Sequence, residues 1–159
     1  MFCEDFKPEG EIFDNFLMNT VIPYVENNFP VCTDRQNVAV CGSSSGGLMS
    51  FFSAVEHPEK FGYAGVFSPA FLCYTREDWA KYLSTKIVEN MPYLYIYTGN
   101  GDELEEMIFE STEMLYELLE ESFYPYDRMN EVILFENAHN EKSWREIFPD
   151  FLHTFLSRL

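Results

Sequence analysis

Residues 38–47 read Val-Ala-Val-Cys-Gly-Ser-Ser-Ser-Gly-Gly, an apolar run passing directly into Gly-x-Ser-x-Gly and then into the apolar stretch 48–55. A strand that turns abruptly into a helix brings two backbones close together and uses unusual dihedral angles, so it needs small residues around the turn. Only Ser44 has a glycine two positions away on each side, Gly42 and Gly46; Ser43 and Ser45 lack that frame. Ser44 is therefore the candidate nucleophile, and Gly42, Gly46 and Gly47 are the glycines of the turn. Serine–glycine clusters usually mark loops. Here the flanks have strand and helix character, which excludes a linker.

Strand-like and helix-like segments alternate along the rest of the chain. The pattern predicts strands at 38–41, 63–67, 93–98 and 131–135, and helices at 11–28, 48–55, 77–88, 103–121 and 143–158. Pro23 is expected to kink the first helix, and His57-Pro58 to close the second. Alternation of this kind predicts a mainly parallel sheet of about four strands with helices on both faces, built as a single α/β domain over residues 1–159.

Hydrophobic residues make up 47% of the 159 and aromatics 18%, enough for a packed core and against disorder. Ten basic against twenty-seven acidic side chains give a net charge of −17. Such a field repels nucleic acid and anionic membranes, so neither is an expected partner. No stretch is long and apolar enough to read as a membrane span. Cys3, Cys32, Cys41 and Cys73 show neither paired nor metal-ligand spacing, so no metal or cofactor is expected and reduced thiols are favoured. The first residues lack the basic start and apolar centre of a signal peptide. A cytoplasmic location is favoured if Met1 is the natural start, and a secreted one stays open if the chain is a piece of a longer protein.

A nucleophilic serine needs a base to take its proton and an acid to orient that base. In α/β-hydrolases the three follow in the order Ser, Asp/Glu, His, each on a loop after a strand. Ser44, Asp102 and His139 stand in that order after the first, third and fourth expected strands, at the edge where open α/β sheets place their sites. Asp102 is also suited to cap the helix starting at Glu103, and Glu103 is the alternative acid. His57 sits at a helix end, where it suits the helix dipole, and His153 lies inside the last helix. The Ser45 N–H, next to the nucleophile, is the expected oxyanion donor. Phe71, Tyr74 and Trp144 fall on loops at the same edge and are expected near substrate.

With these residues in place, the chain resembles the putative-esterase family, which includes esterase D-like enzymes, enterochelin esterases, and feruloyl and acetylxylan esterases. The resemblance rests on 40–48, on His57-Pro58-Glu59-Lys60-Phe61-Gly62, on Phe67-Ser68-Pro69-Ala70-Phe71, and on Ala138-His139-Asn140-Glu141 with Trp144. It implies a serine esterase acting on acetyl or feruloyl-type esters, with a small ester or acylated carbohydrate as substrate. Acyl transfer to another acceptor, or binding without turnover, are its competitors. Family members carry several strands before the helix at 11–28, and with them a loop supplying a second oxyanion N–H. Without those strands the 38–41 edge stands open, and an open edge tends to pair. A homo-oligomer, or a partner chain covering that edge, is the expectation.

Overall fold

A computed structural model describes residues 6–86 and 90–158. Four strands, β1 (Ala39–Ser43), β2 (Tyr63–Phe67), β3 (Tyr93–Thr98) and β4 (Met129–Ile133), form one all-parallel sheet in the order β1-β2-β3-β4. The expected strand at 38–41 runs two residues further, into the turn itself. The expected strand at 131–135 starts two residues earlier. Cys3 and residues 87–88 of the expected helix at 77–88 lie outside the described residues.

Side chains alternate between the two faces of the sheet, as the strand period of two requires. Ala64, Val66, Leu94, Ile96 and Met129 face one way. They meet α3 (Ser45–Glu56), α4 (Arg76–Lys86) and α5 (Glu103–Glu121) through Phe51, Leu83, Leu115 and Leu119, all fully buried. Phe67, Tyr93, Tyr95 and Tyr97 face the other way, onto Ile147 and Phe151 of α6 (Glu141–Leu156). Helices therefore cover both faces, as expected. β1 forms one margin of the sheet, and Cys41 on it is exposed rather than buried as its apolar run suggested. An edge strand has a neighbour on one side only, so hydrophobicity alone misjudges its burial.

The N-terminal helix is α1 (Phe6–Phe16) continued by α2 (Ile22–Asn28). Between them Leu17–Val21 forms a wide π turn in which the Ile22 N–H reaches back five residues to the Leu17 carbonyl. Pro23 has no N–H to give, and the extra residue in the turn absorbs that defect just before it. The helix is tied to α3 by Asp14, which is buried and accepts from Ser53 Oγ at 2.6 Å and meets His57 Nε2 at 2.7 Å. His57 stands at the C-terminal end of α3, as expected, and also partners a carboxylate from another helix. His153 lies exposed near the end of α6.

Candidate active site

Ser44 stands between β1 and α3 with φ 58° and ψ −123°. A residue with a side chain held there costs of order 1–3 kcal/mol, so its surroundings must over-determine it. They do so through backbone bonds. The Ser44 N–H donates to the Phe67 carbonyl at 3.0 Å, and the Ser44 carbonyl accepts from Leu48 and Ala70, each at 3.1 Å. A Cβ on Gly42 would lie 2.6 Å from the Gly46 oxygen, and one on Gly47 2.7 Å from the Phe67 oxygen. Those two glycines provide clearance. Gly46 does not, since nothing lies within 4 Å of the place its Cβ would take. The unusual dihedrals fall on Ser44, and no described glycine has positive φ.

His139, on the loop from β4 to α6, places Nε2 3.0 Å from Ser44 Oγ. Its Nδ1 lies 2.7 Å from Glu105 Oε2. Neither Asp102 nor Glu103, the two expected acids, takes that position. Asp102 instead caps α5, accepting the Glu105 N–H at 2.8 Å on Oδ1, and accepts the His139 backbone N–H at 2.8 Å on Oδ2. These N–H groups, that of Glu105 foremost, hold its carboxyl below the usual range. Glu103 is exposed. The reason is rotation about the helix axis. Asp102 lies before the first turn, whereas Glu105 falls on the inward stripe with Ile108, Thr112, Leu115 and Leu119. That spacing is the sequence signal for Glu105, the one first-turn acid in register with the buried face.

A fully buried carboxylate is tolerable only when its oxygens are satisfied. Glu105 Oε1 accepts from Ser68 Oγ at 2.6 Å and from the Gly99 N–H at 2.8 Å, which leaves Oε2 to the imidazole. Trp144 Nε1 donates to Ser68 Oγ at 2.9 Å, and its ring stands edge-on to His139 with centroids 5.0 Å apart. Trp144 is therefore at the site, as expected, but as a support for histidine and carboxylate. Phe71 is fully buried against Phe51 and Trp79, so the expectation of substrate contact is corrected. Tyr74 packs edge-on against Trp79 and lines a groove between α1, α3 and α4 whose lining includes neither Ser44 nor His139. The loops carrying Asp102 and His139 are held together where the Gly101 N–H donates to the Asn137 carbonyl at 2.7 Å. Asn140 caps α6 through bonds from the Lys142 and Ser143 N–H groups.

Ser45 opens α3, where the first N–H groups have no intrahelical acceptor and suit a negative oxygen. Among the described residues, no group of three or more His, Cys, Asp or Glu is placed to hold a metal ion. A hydroxyl, an imidazole and a buried carboxylate in hydrogen-bonded series can activate the hydroxyl for acyl transfer.

A serine on a strand–helix elbow at the carboxyl edge of a parallel sheet, faced by a histidine on the loop after the last strand, defines an α/β-hydrolase fold. The chain belongs to the family described as "Putative esterase", whose model matches residues 7–155. It is 32% identical over 110 residues to an endo-1,4-beta-xylanase/feruloyl esterase of Xylanibacter ruminicola, covering 69% of this chain and 14% of that protein. Solved structures of an enterobactin esterase from Shigella flexneri (TM-score 0.77, 19% identity) and a ferulic acid esterase from Anaeromyces mucronatus (TM-score 0.67, 19% identity) share the fold. The matches cover 91% and 89% of this chain, and 38% and 53% of those chains. The chain thus spans a seventh to about half the length of these relatives.

Proposed function

We propose that this chain hydrolyses carboxylic esters through an acyl-enzyme, removing acetyl or feruloyl-type groups from carbohydrate. The observation that supports the mechanism is the hydrogen-bonded series Ser44–His139–Glu105, with steps of 3.0 and 2.7 Å. Ser44 Oγ attacks the acyl carbonyl as His139 Nε2 takes its proton, and Glu105 stabilises the imidazolium that forms. The Ser45 N–H donates a hydrogen bond to the oxygen on which negative charge develops. The tetrahedral intermediate collapses as His139 returns the proton to the departing sugar oxygen, and water repeats the sequence on the acyl-serine. Asp102 acts at one remove by holding the His139 backbone.

The substrate class is supported by the relative named a xylanase/feruloyl esterase and by the ferulic acid esterase among the structures of the same fold. Labelling with a fluorophosphonate, alongside turnover of p-nitrophenyl acetate and methyl ferulate, tests the reading. Ser44→Ala should abolish all three signals, whereas Ser43→Ala should retain them. Equal loss from both substitutions would place the nucleophile elsewhere.

A further inference from the structure

At the opposite end of the sheet from Ser44, a cavity of about 350 Å³ opens beside the first residues of β2 and β3, Tyr63 and Tyr93. The intervening strands put it roughly 15 Å from the elbow. Arg35, Arg128 and Arg158 line it, three of only ten basic side chains in a chain carrying twenty-seven acidic ones. Three of the other cations find carboxylates: Lys60 pairs with Glu26, Arg76 with Glu117 and Glu121, and Lys86 with Glu56. Among the described residues none of the three cavity arginines forms an ion pair, and Asp127, also at the cavity, is not within pairing distance of them.

These arginines are held by groups that do not neutralise them. Arg35 Nη2 donates to the Asn90 carbonyl at 3.0 Å, and Arg128 Nη1 to the Met91 carbonyl at 2.9 Å. Arg158 places its guanidinium over the Tyr93 ring, 4.0 Å from the centroid. Each guanidinium has five N–H donors, of which the bonds made among the described residues use few. The buried Arg35 Nε has no hydrogen-bond partner among the described residues. Three like charges around one cavity repel one another, and an anion relieves that repulsion while filling the donors. Planar guanidinium forks match the oxygens of phosphate and sulfate, which makes arginine the preferred residue for them.

We infer that this cavity binds a small dianionic oxyanion of the phosphate or sulfate class, independently of ester hydrolysis. The test is a titration with inorganic phosphate, read by calorimetry and by melting temperature, against sodium chloride at matched ionic strength. The chloride arm is essential because any salt screens a net charge of −17 and stabilises the chain without a site. Phosphate should saturate and raise the melting temperature beyond chloride. Arg158→Gln and Arg128→Gln should each weaken binding about tenfold, the scale of one charge-assisted hydrogen bond. Arg128 also ties down the Met91 carbonyl, so Arg158, exposed near the end of the chain, is the variant that keeps the test valid if Arg128→Gln does not fold. Comparing glucose 6-phosphate with phosphate separates a phosphate ester from the free ion as ligand. Equal responses to phosphate and chloride would overturn the inference, as would saturable binding that Arg158→Gln leaves untouched.

Discussion

Replacing Glu105 by glutamine isolates the charge of the buried carboxylate from its shape. The Gly99 N–H is a backbone donor that cannot turn away, and it lies 2.8 Å from Oε1 together with Ser68 Oγ at 2.6 Å. The glutamine must therefore keep its carbonyl oxygen at that position, which points its NH2 group at His139 Nδ1. Nδ1 then has to accept, so the neutral imidazole carries its proton on Nε2 and cannot take one from Ser44. Loss of the negative charge also removes its stabilisation of the imidazolium. A carboxylate-to-amide change of this kind in a serine–histidine–aspartate enzyme lowers turnover about 10⁴-fold. We expect kcat for p-nitrophenyl acetate to fall by roughly 10³–10⁴, or about 4–5.5 kcal/mol in barrier. The melting temperature should change little, because the fixed donors keep their acceptor. Asp102→Ala should instead cost about 1 kcal/mol of stability through the lost cap and slow turnover about tenfold. Near-normal activity in Glu105→Gln with collapse in Asp102→Asn would refute the assignment and restore Asp102 as the acid.

Ser68→Ala removes one donor from Glu105 and the acceptor of Trp144, and should lower kcat with little change in KM; an unchanged kcat would make Ser68 a packing residue only. Gly47→Ala should destabilise by about 1–3 kcal/mol through contact with the Phe67 carbonyl, whereas Gly46→Ala should be neutral or stabilising in thermal melts. Glu131, desolvated on β4 and crowded by Glu113 and Glu120, has its carboxyl pushed up to about 7. The folded state thus binds more protons than the unfolded between about pH 4.5 and 7, so stability falls as pH rises through that window and levels off above it. Glu131→Gln should flatten that decline, so that its gain in stability over the parent chain is larger at pH 8 than at pH 5, as read by urea melts. The outer edge of β1 should be covered in solution by a second copy, and sedimentation showing a stable monomer at micromolar concentration would refute this.

The strands at 63–67 and 93–98 and the helix at 103–121 were legible because each is a local pattern: short apolar runs of β-branched and aromatic residues, and a long 3.6-residue stripe behind an acidic first turn. Ser44 and His139 were legible for a related reason, since a Gly-x-Ser-x-Gly frame and a polar loop after a strand are features of neighbouring residues. Phe71 shows the limit. A loop position at the right edge says where the backbone goes, but the side chain turned inward because burying a phenyl ring against Phe51 and Trp79 outweighs exposure.

The order of elements, the elbow and the identity of serine and histidine follow from the chain itself, because backbone conformation responds to residues a few positions apart. Which acid faces the imidazole was decided by the tertiary structure. Asp102, Glu103 and Glu105 are nearly equivalent as carboxylates in one helical turn. What separates them is the rotation of α5 against the sheet, which buries Glu105 within reach of Ser68, Gly99 and His139 and leaves Asp102 to the backbone. That rotation is set by Ile108, Leu115 and Leu119 seating in the core: the stripe that puts Glu105 in register with them is local, but the meeting of its carboxylate with Ser68, Gly99 and His139 is a set of contacts between distant segments.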